Sequence, residues 1–241
     1  MINLSQAGGH QLIKPLDKKI IKPTKYDELE FYRDYLPKYQ ELHNCIPKFY
    51  GGGNIDEVKN MFNDDEYNLI INKKYEYYVI LENLIDNNKI DSIIDIKLGS
   101  IHWKKNTSIN EITEHKLRNV NSLTEQYGFR LDGIINNTVK YMKENCRNMK
   151  IQQIIDIIYH LNYIHIQKIK IWINKIINIL KKINLNLYGP SLLIIISNSD
   201  IKINLIDFAV FEESDDHNHD LIESLQNFGD VLSYVMLKKE N

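Results

Sequence analysis

Asp95 and Lys97 stand two residues apart in the run SIIDIKLGS at 92–100, with Gly99 two further on. Side chains of an extended strand alternate between faces, so Asp95 and Lys97 project together while Ile94, Ile96 and Leu98 project to the other side. One face of such a strand is apolar, and the other offers a carboxylate beside an ammonium. Taken alone, that pair reads as a salt bridge on a strand. Three other residues point to phosphate chemistry when set beside it. Lys14 lies on an early alternating stretch, where its ammonium could reach nucleotide phosphates. Glu30 lies in the helical stretch that follows and could orient that lysine. Asp207, in LIDFA at 205–209, ends a late strand and could hold Mg2+ between phosphate oxygens.

Elements must carry these residues. AGGHQLIKPL at 7–16 reads as a turn into a strand, and TKYDELEFYRDYL at 24–36 as a helix capped by Thr24 with Asp27 three residues on. IPKFYGGG at 46–53 reads as a strand ending in a glycine turn. YNLIINKKYEYYVILENL at 67–84 reads as two strands around a tight, lysine-bearing turn. Residues 109–119 form a polar helix, and 128–143 a hairpin with Asn136 and Asn137 near its turn. Residues 149–184 are helical and rich in Ile, with a break near His160–His165. SLLIII at 191–196 and KINLIDF at 202–208 form an antiparallel pair, and 219–239 close the chain as a helix. This order predicts an α+β fold of two lobes, built like the protein kinases. An antiparallel sheet with one helix occupies 1–84 and is joined through 82–91 to a larger mixed lobe over 85–241. ATP is expected in the cleft between them.

The bulk numbers exclude several classes. The chain has 241 residues, 43% of them hydrophobic and 26% charged, and a formal net charge of −2. No global field draws it to nucleic acid or to a membrane surface. Its two cysteines, Cys45 and Cys146, form no CxxC pair, which argues against a zinc knuckle or a disulfide scaffold and for a reducing compartment. No secretory pattern opens the sequence and no apolar run of about 18 residues appears, so no membrane span is expected. The expected location is the cytoplasm or the nucleus, and the expected state a monomer. His160 and His165 are too sparse for a metal site, and the acidic stretch at 212–220 reads as a solvated loop.

The chain resembles the inositol polyphosphate kinases. Their signature PxxxDxKxG is met by DSIIDIKLG at 91–99 through Asp95, Lys97 and Gly99, with Asp91 in the place of the proline. The resemblance covers nearly the whole chain. AGGH…IKP at 7–15 is similar to the family's first strands, ELEFYRDY at 28–35 to its N-lobe helix, and YVILENL at 78–84 to its hinge. EQYGFRLDG at 125–133 resembles a segment with a GFR core. GPSLLIII at 189–196 resembles the SSLL motif with Pro190 for the first serine, and LIDFA resembles the IDF motif. Six motifs occur in the family's order.

The resemblance implies ATP-dependent phosphoryl transfer to an inositol phosphate, with Mg2+. Lys97 would touch both substrates, and Asp95 would orient a hydroxyl of either the ATP ribose or the inositol. Lys14 and Asp207 would serve ATP, while Glu82 and Leu84 at the hinge would offer a backbone carbonyl and amide to adenine. Ser191 would add a hydroxyl to the metal shell beside Asp207. Lys104, Lys105, Lys116, Arg130 and Lys143 would meet substrate phosphates. Val210 stands where a polar residue is common in the family, and Ser224 where a glycine is usual. The preferred reading is an inositol hexakisphosphate kinase forming a diphosphoinositol phosphate. A kinase for the hydroxyls of tris- or tetrakisphosphates is the alternative. An inactive inositol-phosphate sensor is the third, and intact Lys14, Lys97 and Asp207 count against it.

Overall fold

The structure is a computed structural model and describes residues 12–85, 90–136, 139–197, 200–215 and 217–241. The glycine pair at 8–9, Asn137 and Asp216 lie outside the described residues. The chain enters on β1 (Lys14–Leu16) and returns as β2 (Lys19–Thr24). Next comes α1 (Tyr26–Glu30), which runs on as a π-helical turn over Phe31–Tyr35. β3 (Phe49–Asn54), α2 (Asp64–Asn72) and β4 (Tyr77–Glu82) complete the first lobe. Its four strands form an antiparallel sheet in the order β1-β2-β4-β3.

Local chemistry accounts for three departures from the sequence reading. Residues 64–72 are a helix and not a strand, because Asn63 and Glu66 close a reciprocal capping box and Ile70 alone turns into the core. The glycines at 51–53 lie inside β3, where the strand presses on its neighbour. A Cβ on Gly52 would lie 2.4 Å from Tyr78 O and 2.7 Å from Leu29 Cδ1. Thr24 does not cap α1; its hydroxyl donates to Glu28 Oε2 at 2.5 Å, and Lys25 takes the cap position.

The second lobe opens with β5 (Ser92–Leu98), followed by α3 (Ile109–Asn119) and α4 (Leu123–Tyr127). The hairpin of β6 (Phe129–Asn136) and β7 (Lys140–Tyr141) comes next, then α5 (Lys143–Cys146), α6 (Ile151–Tyr159) and α7 (Tyr163–Leu180). The chain ends with β8 (Leu185–Leu187), β9 (Ser191–Ser197), β10 (Asp200–Ile206), β11 (Phe211–Glu213) and α8 (His219–Glu240). Five of these strands form an antiparallel sheet ordered β10-β9-β5-β6-β7, and β8 pairs with β11. β5 is central. Its Ile94, Ile96 and Leu98 enter the main core with Ile154 of α6, Ile169 of α7 and Phe228 of α8, as the alternation predicts.

The main core crosses between the lobes. Phe31 stacks on Phe208 at 4.3 Å and meets Phe211 edge-on at 5.5 Å, while Leu205 N donates to Cys45 O at 2.8 Å. The helical segment of the first lobe is thus fastened to the β10 side of the second, and the cleft between them has a fixed floor. Among the described residues no helix is long and apolar enough to cross a membrane.

Candidate active site

A cleft of about 640 Å3 opens between the lobes. Lys22, on β2, an inner strand flanked by β1 and β4, lines it. Burial alone would strip the charge from this lysine, but two carboxylates outweigh that cost and raise its pKa. Glu28 Oε1 lies 2.7 Å from Nζ and Asp207 Oδ1 lies 2.6 Å from it. Glu28 is itself oriented by Thr24. Asp207 follows β10 with a left-handed φ of 68°, a strained conformation for a residue with a side chain and one that collects at functional sites. Burial pushes its carboxyl up, yet Lys22 and Lys97 hold it below the usual carboxylate value.

This corrects the sequence assignment. Lys14, on the edge strand β1, reaches away to Glu66 of α2 at 2.8 Å and does not line the cleft. The lysine and glutamate that the structure brings to Asp207 in the cleft are Lys22 and Glu28. Replacing Lys22 by Met should raise the ATP KM about thirtyfold or more, by loss of one charge-assisted phosphate contact. Lys14→Ala should leave it unchanged. Steady-state kinetics of the two variants decide the point, and a raised ATP KM in Lys14→Ala would reverse it.

Lys97 lines the cleft as expected. On β5 it pairs in register with Arg130 of β6 and Ser191 of β9. Burial lowers its pKa. A bulge in β6 inserts Asp132 between the partners of Asp95 and Ile96, and bulges of this kind re-aim side chains beside active sites. Asp132 Oδ1 accepts from Arg130 Nε at 2.8 Å and its Oδ2 meets Lys143 Nζ at 3.1 Å, so one buried carboxylate steadies two cleft cations. Arg130 and Lys143 therefore line the cleft. His102 also lines the cleft. Its Nε2 donates to Gly99 O at 2.9 Å, and burial, then Lys97 and Arg130, depress its pKa to about 3, so the ring is neutral.

Six other candidates lie outside the cleft lining. Lys104 pairs with Asp27 at 2.6 Å, Lys105 Nζ donates to Ser214 Oγ at 3.1 Å, and Lys116 is exposed on α3. None of the three lines the cleft. Ser191 is buried beside Asp95, to which it offers its hydroxyl. Glu82 and Leu84 lie outside the cleft lining; Glu82 N is bonded to Lys48 O at 2.8 Å, and the Leu84 side chain packs with Ile93 and Ile195. Sequence reading missed Arg118 at the end of α3 and Arg147 after α5, which enter the cleft from outside any motif. In all, eight Lys and Arg side chains line the cleft against three carboxylates. The arrangement can bind a ligand carrying several phosphates and neutralise charge on a group transferred near Lys22 and Lys97.

Asp95 is only 2% exposed, does not line the cleft, and keeps Oδ1 without a partner. Burial first, then Asp207 and Asp132, raises its pKa from 3.8 to about 8. The folded state then holds a proton between about pH 4 and 8 that the unfolded chain releases, so the Asp95 contribution to stability falls as pH rises through that window. His102 acts in the opposite sense below its ordinary 6.5 and adds no slope above it. Between pH 6.5 and 8 the wild-type Tm should therefore drop further than the Tm of Asp95→Asn. Parallel melting curves at the two pH values test this, and equal drops would remove Asp95 from the account.

Among the described residues no three His, Cys, Asp or Glu side chains stand together as a metal cage. A divalent ion fits this donor set only as a partner of ligand phosphates, with Asp207 as the protein carboxylate.

A family model for inositol polyphosphate kinase matches residues 78–233. The match begins within β4, so the assignment of Lys22 and Glu28 comes from the structure. Among solved structures the chain is similar to inositol phosphate multikinase Ipk2 from S. cerevisiae in complex with ADP and Mn2+. The TM-score is 0.66 at 20% sequence identity, covering 90% of this chain and 98% of that one. It is also similar to a structure from structural studies and protein engineering of inositol phosphate multikinase, with a TM-score of 0.60, 15% identity, and coverage of 86% and 97%. No curated protein matches the chain by sequence. At these identities the two structures establish the fold, which is the two-lobed α+β architecture expected from the order of elements.

Proposed function

The chain belongs to the inositol polyphosphate kinase family, and from that premise we propose that it transfers the γ-phosphoryl group of ATP to an inositol carrying several phosphates. The observation that carries this reading is the Lys22–Glu28–Asp207 cluster lining a cleft rich in cations. Lys22 would hold nucleotide phosphates. Asp207 would hold Mg2+, which supplies charge neutralisation on the phosphates when bound. Glu82 and Leu84 would serve adenine through backbone groups. Lys97 would meet the transferred phosphoryl, whose bond to the leaving ADP oxygen breaks as its bond to the acceptor oxygen forms. Asp95 is buried outside the cleft lining, so the hydroxyl-orienting role implied for it by the resemblance is not part of this proposal. Arg118, Arg130, Lys143 and Arg147 would grip the phosphates that do not react.

Two acceptors fit. The excess of cations in the cleft supports a highly phosphorylated acceptor such as inositol hexakisphosphate, in which case the product is a diphosphate. The names of the two similar structures support a multikinase that phosphorylates hydroxyls of less substituted inositols. The intact cluster speaks against an inactive sensor. The purified protein incubated with ATP, Mg2+ and a panel of inositol phosphates, with products resolved by charge, decides among them. A product with one more phosphate than inositol hexakisphosphate selects the first reading, and turnover of tris- and tetrakisphosphates alone selects the second. No product from any member of the panel removes the kinase reading.

A further inference from the structure

Gly99 leaves β5 with a φ of 81°, and the three residues after it belong to no strand. The first turn of α8 takes hold of them. The Asp220 carboxylate accepts from Ser100 N at 2.9 and 3.1 Å, from Ile101 N at 3.0 Å, and from Ser100 Oγ. One turn further on, the buried Ser224 Oγ accepts from Gly99 N at 3.1 Å. A Cβ on Gly99 would lie 2.7 Å from Asp220 Oδ2, so this carboxylate is one reason position 99 needs glycine. On the loop's other side, His102 donates to Gly99 O and packs where a Cβ on Gly189 would come within 2.4 Å of its ring.

Asp220 is held in turn. His217 and Asn218 both adopt left-handed φ values, 49° and 54°, just before α8. Consecutive residues of this kind persist only when their surroundings over-determine them. Asn218 does so. Its Oδ1 accepts from Leu187 N at 2.8 Å, its Nδ2 donates to Leu185 O at 2.8 Å, and its backbone N–H donates to Asn186 Oδ1 at 2.9 Å. The start of α8 is thereby locked to β8, with Asp220 facing the loop.

We propose that Asp220 is a positioning residue for phosphoryl transfer. It fixes Ser100 and Ile101, and through their loop Lys97 and His102, without lining the cleft itself. The proposal rests on the reading of the cleft as a kinase site. The test compares Asp220→Asn with Ser100→Ala. The amide preserves the size of the side chain but loses the charge and turns N–H groups toward N–H donors.

In Asp220→Asn, amide hydrogen exchange at residues 99–101 should rise at least about tenfold while α7 and the rest of α8 keep their protection. With the panel's best acceptor, kcat should fall about thirtyfold and the ATP KM stay within about twofold, because misplacement of a reacting group costs rate and not nucleotide affinity. Ser100→Ala should show the same pattern at roughly threefold. Unchanged exchange at 99–101 overturns the proposal. So does faster exchange there with kcat unchanged, or protection lost throughout the fold in step with activity while Ser100→Ala stays silent. A wild-type protein with no kinase activity overturns the kinase reading and this proposal with it, and that outcome differs from an active wild type with an unaffected Asp220→Asn.

Discussion

Asp207→Asn should lower kcat about a thousandfold while the protein keeps its fold, the largest loss expected of any single substitution here. The carboxylate touches Lys22 at 2.6 Å and is the acidic group of the cleft that remains partly accessible, with 27% of its side chain exposed. Glu28 is buried against Lys22 and Thr24, and both oxygens of Asp132 are engaged by Arg130 and Lys143. Neither can take over a metal ion carried on nucleotide phosphates. Asparagine keeps the shape and accepts the left-handed φ of 68° better than most residues, so the backbone need not move. Lys22 retains Glu28 as a partner, which limits the loss of stability. Thermal melts and single-turnover kinetics at saturating Mg2+ separate the two effects. Turnover near wild type at any Mg2+ concentration would place the metal elsewhere.

Lys97→Ala should lower kcat about a hundred- to a thousandfold, the cost of one charge-assisted contact that strengthens in the transition state. The fold should not suffer. Burial lowers the pKa of this lysine, so its charge opposes folding unless a ligand phosphate answers it. Lys97→Arg should rescue only in part, since a planar guanidinium does not fill the place of a compact ammonium between β6 and β9. The contrast is Arg118→Ala. Arg118 is exposed at the end of α3, where it pairs loosely with Glu114 at 3.2 Å. Its loss should raise the KM for the inositol phosphate about tenfold and leave kcat alone, with the effect shrinking as salt screens the attraction. Lys116→Ala, outside the cleft, should change neither. If Lys97 and Arg118 give the same KM-only behaviour at two ionic strengths, Lys97 is one more phosphate clamp and not a catalytic group.

Much of this site was legible in the residues. The period of two in SIIDIKLGS put Lys97 and Asp95 on one face and three apolar residues on the other, and β5 keeps that alternation against β9 without interruption. The hairpin over 128–143 and the pair at 191–208 were equally readable, because turn residues and alternation are local signals. The helix at 64–72 was not. NLII at 68–71 is compatible with either period, and the deciding signal was the Asn63–Glu66 capping box just upstream.

The two lysine-proline pairs mark the boundary between sequence and tertiary structure. LIKP at 12–15 and IIKP at 20–23 are nearly the same words, and only the first is read as a strand with a lysine before a proline. Which lysine becomes the buried cation depends on the order of strands. β1 forms the edge of its sheet, so Lys14 finds Glu66 near solvent. β2 lies inside, so Lys22 meets Glu28 of its own lobe and Asp207 of the other. The sequence by itself determined most of the second lobe's strands and helices and the presence of a lysine, a glutamate and an aspartate able to meet phosphate. The assembled fold decided which of them meet. Hydrophobic periodicity is written over a few neighbouring residues, whereas the Lys22–Asp207 and Ser100–Asp220 contacts join distant segments whose approach is set by the packing of sheets and helices.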